Sequence, residues 1–422
     1  MTRHRFLIAV LAAAPLLAHA QSGFDKERLA RIDRFMQMYV DSNRVAGATA
    51  LVLRDGKPVY EHSVGWVDKE SNRKMTSDAI FRIASQSKAI TSVAALMLVE
   101  EGRISLFDPV SRFIPAFAHT TVAQRSDSGH VPVPAKRQIT IKDLLTHTSG
   151  YSYGTDAIVA SRYAAKGVGP EAGWGWYTAD KNEPVCTTME TVATLPAVAQ
   201  PGEQWVYGYS VDILGCVIER ASGMPLDQFI RTRITEPLGM KDTYFFLPPA
   251  KRDRLVTLYA SDTANHVVRA PEGPRGQGNY VEGPRRNFSG GAGLLSTSHD
   301  YAHFLQMLLQ HGEMDGKHYL SPKMVDLMTT NQVGSTYGNP GRGFGLGFET
   351  VEHLGADGLS SVGTFSWGGA YASVYRVDPA EKLVIVFMIN QLPNRTDLPV
   401  KFATLVYQAM TTAKVGAFVV QR

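Results

Sequence analysis

The sequence predicts an α+β fold in which an antiparallel sheet is built from both ends of the chain and a mostly helical region is inserted between. Three observations carry this. A strand-turn-strand pattern lies near the start, from Ala46 to Val67; helix-period segments dominate from about 85 to 330; and short β-branched or aromatic runs return after that.

The elements follow in order. Arg3, His4 and Arg5 precede an apolar run from Phe6 to Leu17, and Ala18-His19-Ala20 precedes Gln21. This is the layout of a signal peptide, residues 1–20, cleaved after Ala20. The run is too short to span a bilayer and no later stretch is longer, so the expectation is an exported protein, periplasmic or secreted, with no membrane span. Residues 25–43 set Leu29, Ile32, Phe35, Met36 and Tyr39 on one helical face. Ala46 to Leu53 and Pro58 to Val67 flank Asp55-Gly56, a dipeptide suited to a tight hairpin turn. Residues 118–138 and 166–185, rich in Gly and Pro, read as connections. Gly345 to Val351, Ser361 to Ser366, Ala370 to Val377 and Leu383 to Ile389 read as strands, and 399–412 as a closing helix. Sheet regions at 21–84 and 331–422 thus enclose a mainly helical region at 85–330.

Composition narrows the function. With 43 Lys+Arg and 39 Asp+Glu the net charge is +4, and removal of two arginines with residues 1–20 leaves +2. Near-neutrality argues against a nucleic-acid partner. Cys186 and Cys216 are too few for a disulfide scaffold, and whether they pair is left open by the sequence. His299 and His303, at i and i+4, read as a solvated helix face rather than as a metal site.

The chemistry centres on Ser85-Gln86-Ser87-Lys88, which opens an apolar segment from Ala89 to Val99 that ends at Gly102. Residues three apart share a helix face, so Ser85 and Lys88 are expected to be neighbours. A serine hydroxyl needs a base to become a nucleophile, and a partly buried Lys88 is a candidate to take its proton. The backbone N–H of Ser85, near the positive end of the helix dipole, is a candidate oxyanion donor. A second Ser-x-x-Lys, Ser71 to Lys74, sits in a polar loop and is set aside. Tyr207, after the turn at Pro201-Gly202, is a candidate proton shuttle, because a phenol with an ordinary pKa near ~10 needs a cation such as Lys88 beside it. Trp367-Gly368-Gly369-Ala370 lies between strand-like runs where glycines permit close backbone approach, which makes the Ala370 N–H a second oxyanion candidate. Ser152 in Gly150-Tyr151-Ser152-Tyr153-Gly154 matches a nucleophile elbow but lacks the strand before and the helix after it. The glycine-rich run 341–347 lacks the Gly-Lys-Ser/Thr ending of a phosphate loop. His147 is expected to make a structural hydrogen bond.

The order of the motifs resembles the class C β-lactamase superfamily, and within it the family VIII carboxylesterases. The resemblance runs from Ser85-x-x-Lys88 through Leu144-Leu145-Thr146-His147-Thr148-Ser149-Gly150, Pro201-Gly202 with Tyr207, and Pro237-Leu238-Gly239-Met240. It continues through Gly290-Gly291-Ala292-Gly293-Leu294 to Trp367-Gly368-Gly369, and covers residues 25–412 as one catalytic unit. It implies a β-lactamase/penicillin-binding-protein-like fold and an acyl-enzyme mechanism without metal or organic cofactor. Ser85 would be the nucleophile, Lys88 and Tyr207 the proton-transfer pair, and the Ser85 and Ala370 amides the oxyanion hole. Two departures favour neutral esters over β-lactams. Tyr207-Gly208-Tyr209 stands where the superfamily often has Tyr-x-Asn, and Trp-Gly-Gly replaces the Lys/His-Thr-Gly strand, which removes a partner for a substrate carboxylate.

The expected activity is therefore hydrolysis of small carboxylic esters, a small-molecule substrate. Trp367, Gly368, Gly369, Tyr209, Trp174 and Trp176 are the candidate substrate contacts. Alternatives on the same fold are a β-lactamase or a peptidase for unusual peptides, an acyltransferase, and a non-enzymatic penicillin-recognising protein. The oligomeric state is not legible in the sequence.

Overall fold

The computed structural model describes residues 23–413 apart from 128, 173–175 and 274–275, so residues 1–20, expected from the sequence to be a signal peptide, and Trp174 lie outside the described residues. An eight-stranded antiparallel sheet forms the frame, as the sequence predicts. Its strands in chain order are β1 (Gly47–Arg54), β2 (Lys57–Asp68), β3 (Arg73–Lys74), β4 (Arg342–Phe344), β5 (Glu349–Val351), β6 (Phe365–Gly368), β7 (Val374–Asp378) and β8 (Leu383–Met388). In space they run β4-β5-β6-β7-β8-β1-β2-β3, so the last strand pairs with the first, Thr49 opposite Met388 and Arg54 opposite Leu383.

The hairpin turns where expected. Asp55 and Gly56 both have positive φ, 52° and 72°, the backbone that a two-residue turn between twisted strands requires. Strand alternation then assigns the faces. Ala48, Ala50, Val52, Leu383, Ile385 and Phe387 pack with the helices α1 (Lys26–Asp41) and α6 (Leu398–Gln408), through Ile32, Met36, Phe402 and Val406. Leu51, Leu53, Val384, Val386 and Met388 face the larger core, which holds α2 (Ser87–Glu100), α3 (Val185–Ala193), α4 (Ser210–Ser222) and α5 (Ser298–Leu309). Helix α2 is buried from Ser87 to Leu98, and this central helix carries Lys88.

The structure differs from the expectation in the inserted region. Residues 121–134, read as part of a connection, form a two-stranded ribbon, Thr121–Ser126 against Gly129–Pro134. Its prolines, Pro132 and Pro134, disguised the strand; a ribbon with a free edge tolerates residues that donate no ladder hydrogen bond. Strand β4 lies inside the glycine-rich run 341–347, strand β6 starts later than its sequence run because Ser361 to Thr364 form a turn, and β7 starts later because Gly369 to Ser373 form the turn between it and β6. Cys186 of α3 and Cys216 of α4 are joined by a disulfide. No helix among the described residues is long and apolar enough to cross a membrane.

Candidate active site

Ser85 sits in a short 3-10 turn, Ala84–Gln86, that runs straight into α2. Ala84, immediately before it, is held at φ 44° and is fully buried, a strained backbone that the surrounding packing must enforce. The enforcing contacts come from the Gly290–Leu294 motif. Ile83 donates its N–H to the Leu294 carbonyl at 3.1 Å, Leu294 donates to Ser87 Oγ at 3.0 Å, and Thr91 Oγ1 donates to the Gly290 carbonyl at 2.8 Å. Tyr301 Oη fixes the Gln86 carbonyl at 2.9 Å.

Lys88 is 2% exposed and its Nζ donates three hydrogen bonds: to Ser85 Oγ at 3.2 Å, to Tyr153 Oη at 2.9 Å and to the Gly291 carbonyl at 2.7 Å. The helical spacing of the Ser-x-x-Lys pair therefore does bring its two side chains together. Tyr207 is beside them in a different way from the one expected. Lys88 Nζ lies 4.7 Å from the centre of its ring, and its hydroxyl accepts from Trp367 Nε1 at 3.2 Å.

The hydroxyl bonded to Lys88 belongs to Tyr153, which the sequence reading passed over. Burial pushes the Tyr153 phenol well above the usual tyrosine range, and the facing Tyr207, Asp212 and Tyr209 add to it. Tyr153 thus stays protonated. The signal that could have found it was its place three residues after the Leu144–Gly150 motif.

On the far side, Gly369 is wedged against the strained turn. A Cβ on it would stand 2.4 Å from the Ile83 carbonyl oxygen and 3.6 Å from Ala84 Cβ. Only glycine allows this approach. It places Ala370 in a small cluster with Ala84, Leu258, Ala270 and Tyr371, against which Trp176 also packs. Trp367, half-buried, forms an aromatic wall with Trp205, Tyr207 and Phe344.

Two expectations about these residues change. Tyr209 is fully buried, stacks edge-on against Tyr153 at 4.9 Å and accepts from the Gly169 N–H at 3.2 Å, so it supports Tyr153 from behind rather than touching substrate. The His147 side chain makes no hydrogen bond: neither ring nitrogen has a partner among the described residues. Its ring is caged by Tyr207 at 4.7 Å, Phe344 at 5.6 Å and Trp205 at 5.8 Å, and burial plus the charge of Lys88 holds its pKa well below the usual value. Trp174 lies outside the described residues.

The rival serines are occupied elsewhere. Ser152 Oγ accepts the Gly154 N–H at 3.1 Å in a buried loop, and Ser71 lies in the turn before Lys74, whose Nζ sits 3.4 Å above the Trp66 ring. His299 and His303 face Glu61 and Asp315 separately, and no cluster of metal-ligating side chains occurs among the described residues.

The sheet closed by both chain ends and the serine joined to a buried lysine at the head of the central helix define a serine hydrolase of the β-lactamase type. The chain belongs to the Beta-lactamase family, whose model matches residues 32–408. It is 34% identical over 395 residues to Protein Rv1367c of Mycobacterium tuberculosis, covering 89% of this chain and 92% of that one. It is 31% identical over 376 residues to Esterase EstB of Burkholderia gladioli, covering 86% and 90%. Among solved structures it superposes on EstCE1, a hydrolase with promiscuous acyltransferase activity, with a TM-score of 0.75 and 28% identity over 90% of this chain and 99% of that one.

Proposed function

We propose that this protein is an exported carboxylesterase that cleaves small neutral esters through an acyl-Ser85 intermediate. The observation that carries the reading is the 3.2 Å contact between Lys88 Nζ and Ser85 Oγ inside a buried, three-bonded lysine site. With one hydrogen fewer, Lys88 accepts the Ser85 proton along that same line. Ser85 Oγ then bonds to the ester carbonyl carbon, and the charge that develops on the carbonyl oxygen is met by the Ser85 and Ala370 N–H groups. The C–O bond to the alcohol breaks, and the proton passes by way of Lys88 and Tyr207 to the leaving oxygen. Water repeats the sequence to release the acid. Tyr153, held protonated, positions Lys88 rather than taking the proton.

A neutral substrate is supported by the aromatic wall around Trp367 and by the burial of Tyr209, which leaves no side-chain amide at that position to grip a β-lactam. Similarity to an esterase over most of the chain supports the same class. Export is supported by the layout of residues 1–20 and by the Cys186–Cys216 disulfide, a bond at home in oxidising compartments. A second reading, acyl transfer, is favoured by the similarity to a hydrolase described as having promiscuous acyltransferase activity. An acyl-enzyme hands its acyl group to whichever nucleophile reaches it.

The test is turnover of a short-chain p-nitrophenyl ester and a chromogenic cephalosporin by the mature protein, by Ser85→Ala and by Ser152→Ala. Loss of ester turnover in Ser85→Ala alone, with the cephalosporin scarcely hydrolysed, is the expected result. A dead Ser152→Ala beside an active Ser85→Ala overturns the nucleophile, and a faster cephalosporin overturns the substrate class. Adding an alcohol and assaying for the transferred ester decides between water and alcohol as acceptor.

A further inference from the structure

We infer that Asp212 is a positioning residue for Lys88, acting through Gly291 and through its own buried charge; the inference rests on the acyl-Ser85 reading. Asp212 is the third residue of α4, in the first turn, where the helix dipole favours an anion. It is fully buried. Its Oδ1 accepts from Ser289 Oγ at 2.6 Å and from the Gly291 N–H at 3.1 Å. The same Gly291 offers its carbonyl to Lys88 Nζ at 2.7 Å, so a single glycine links the carboxylate to the amine. Gly291 tolerates no side chain here, because a Cβ would stand 2.4 Å from Asp212 Oδ2. Oδ2 itself has no hydrogen-bond partner among the described residues.

A carboxylate with an unpartnered oxygen is costly to bury unless an opposite charge faces it. The cation that favours its charged form is Lys88, while burial works against that form and raises its proton affinity. The remaining groups that face the pair are Tyr153 from the loop after the Leu144–Gly150 motif, Tyr207 and Tyr209 ahead of α4, and His147. None of these is a carboxylic acid. Asp212 is thus the carboxylate against which Lys88 is set, and the Gly290–Leu294 motif, which also anchors Ser87 and Thr91, is the rigid piece that transmits it.

The test uses ester turnover and its pH profile in the full-length mature protein. Asp212→Asn keeps the shape and the Oδ1 acceptor but removes the charge. It should lower kcat by about 30-fold or more, as loss of an aligned proton acceptor does, with KM within about threefold. Ser289→Ala keeps the charge but removes a bond to it. The Asp212 carboxyl then rises, and the acidic limb of kcat/KM should move to higher pH with little loss at the plateau. A role in packing alone would leave that limb where it is. Should Asp212→Asn fail to fold by circular dichroism, the Ser289→Ala profile decides alone. Asp212→Asn within threefold of wild type, or an unmoved limb in Ser289→Ala, overturns the inference while an inert Ser85→Ala still upholds the acyl-enzyme. Wild type without ester turnover overturns both.

Discussion

Lowering the pH from 7 to 5 should cost this protein about 2 kcal/mol through His147 alone. The ring is fully buried in an aromatic cage without a hydrogen-bond partner among the described residues, and burial together with the Lys88 charge holds it neutral well below its usual titration range. The unfolded chain titrates normally near ~6.5. Because the folded pKa is the lower one, nothing is lost above the unfolded value and stability falls below it, by about 1.4 kcal/mol per pH unit once the unfolded histidine is protonated. Integrated from pH 7 to 5 with the native ring still neutral, this gives the figure stated. His147→Asn supplies the comparison. Asn does not titrate, and it tolerates the φ of 56° at this position. Losing the ring's contacts with Trp205, Tyr207 and Phe344 should cost about 2–4 kcal/mol at every pH. The assay is urea unfolding followed by tryptophan fluorescence, to which Trp205 reports directly. The gap between wild type and variant should narrow by about 2 kcal/mol from pH 7 to 5. Asp68 and Asp143, whose carboxyls are held below the usual range, lose their contribution only at more acidic pH, and the other carboxylates shift both proteins alike. A gap that changes by less than about 0.5 kcal/mol would mean that the folded protein can charge this ring, and the dry-cage account fails.

Tyr153→Phe removes one of the three bonds that seat Lys88 and should lower kcat about 10- to 100-fold with KM nearly unchanged; equal kinetics with wild type would reduce Tyr153 to packing. Gly369→Ala pushes a methyl against the Ile83 carbonyl and displaces the turn that carries Ser85, so kcat should fall by about 100-fold or more in a protein that still folds; unchanged turnover would show that the turn can yield. Trp176→Ala opens the cluster shared with Tyr371 and Ala370 and should shift the preference between short and long acyl chains more than it slows the smallest ester; equal loss on all esters rules Trp176 out as a pocket wall.

What the sequence made legible follows from distance along the chain. Ser85 and Lys88 meet because a helix fixes residues three apart, and the Asp55-Gly56 turn formed because its chemistry is local. Tyr153 and Asp212 were invisible for the opposite reason. Each reaches Lys88 only through tertiary packing, and apart from the place of Tyr153 just after the Leu144–Gly150 motif nothing in their neighbours separates them from the other tyrosines and acids. Tyr209 was misread because its place beside Tyr207 in sequence suggested a shared surface. The start of α4 instead turns the two rings apart, one into the core behind Tyr153 and one toward Trp367. His147 looked like an ordinary polar group, since a cage made from Trp205, Tyr207 and Phe344 is assembled from two distant segments.

Pairing the last strand with the first also makes chain completion a precondition for chemistry. Until Leu383–Met388 docks beside Gly47–Arg54, the strands β4 to β7 that carry the turn at Gly369 are not joined to the first strands of the sheet. A chain in which that strand has not docked therefore carries its serine and lysine without the clamp on the strained residue. Such long-range closure slows folding. It also makes hydrolase turnover a stringent reporter of a correctly closed sheet, more so than helix content or the presence of Ser85 and Lys88.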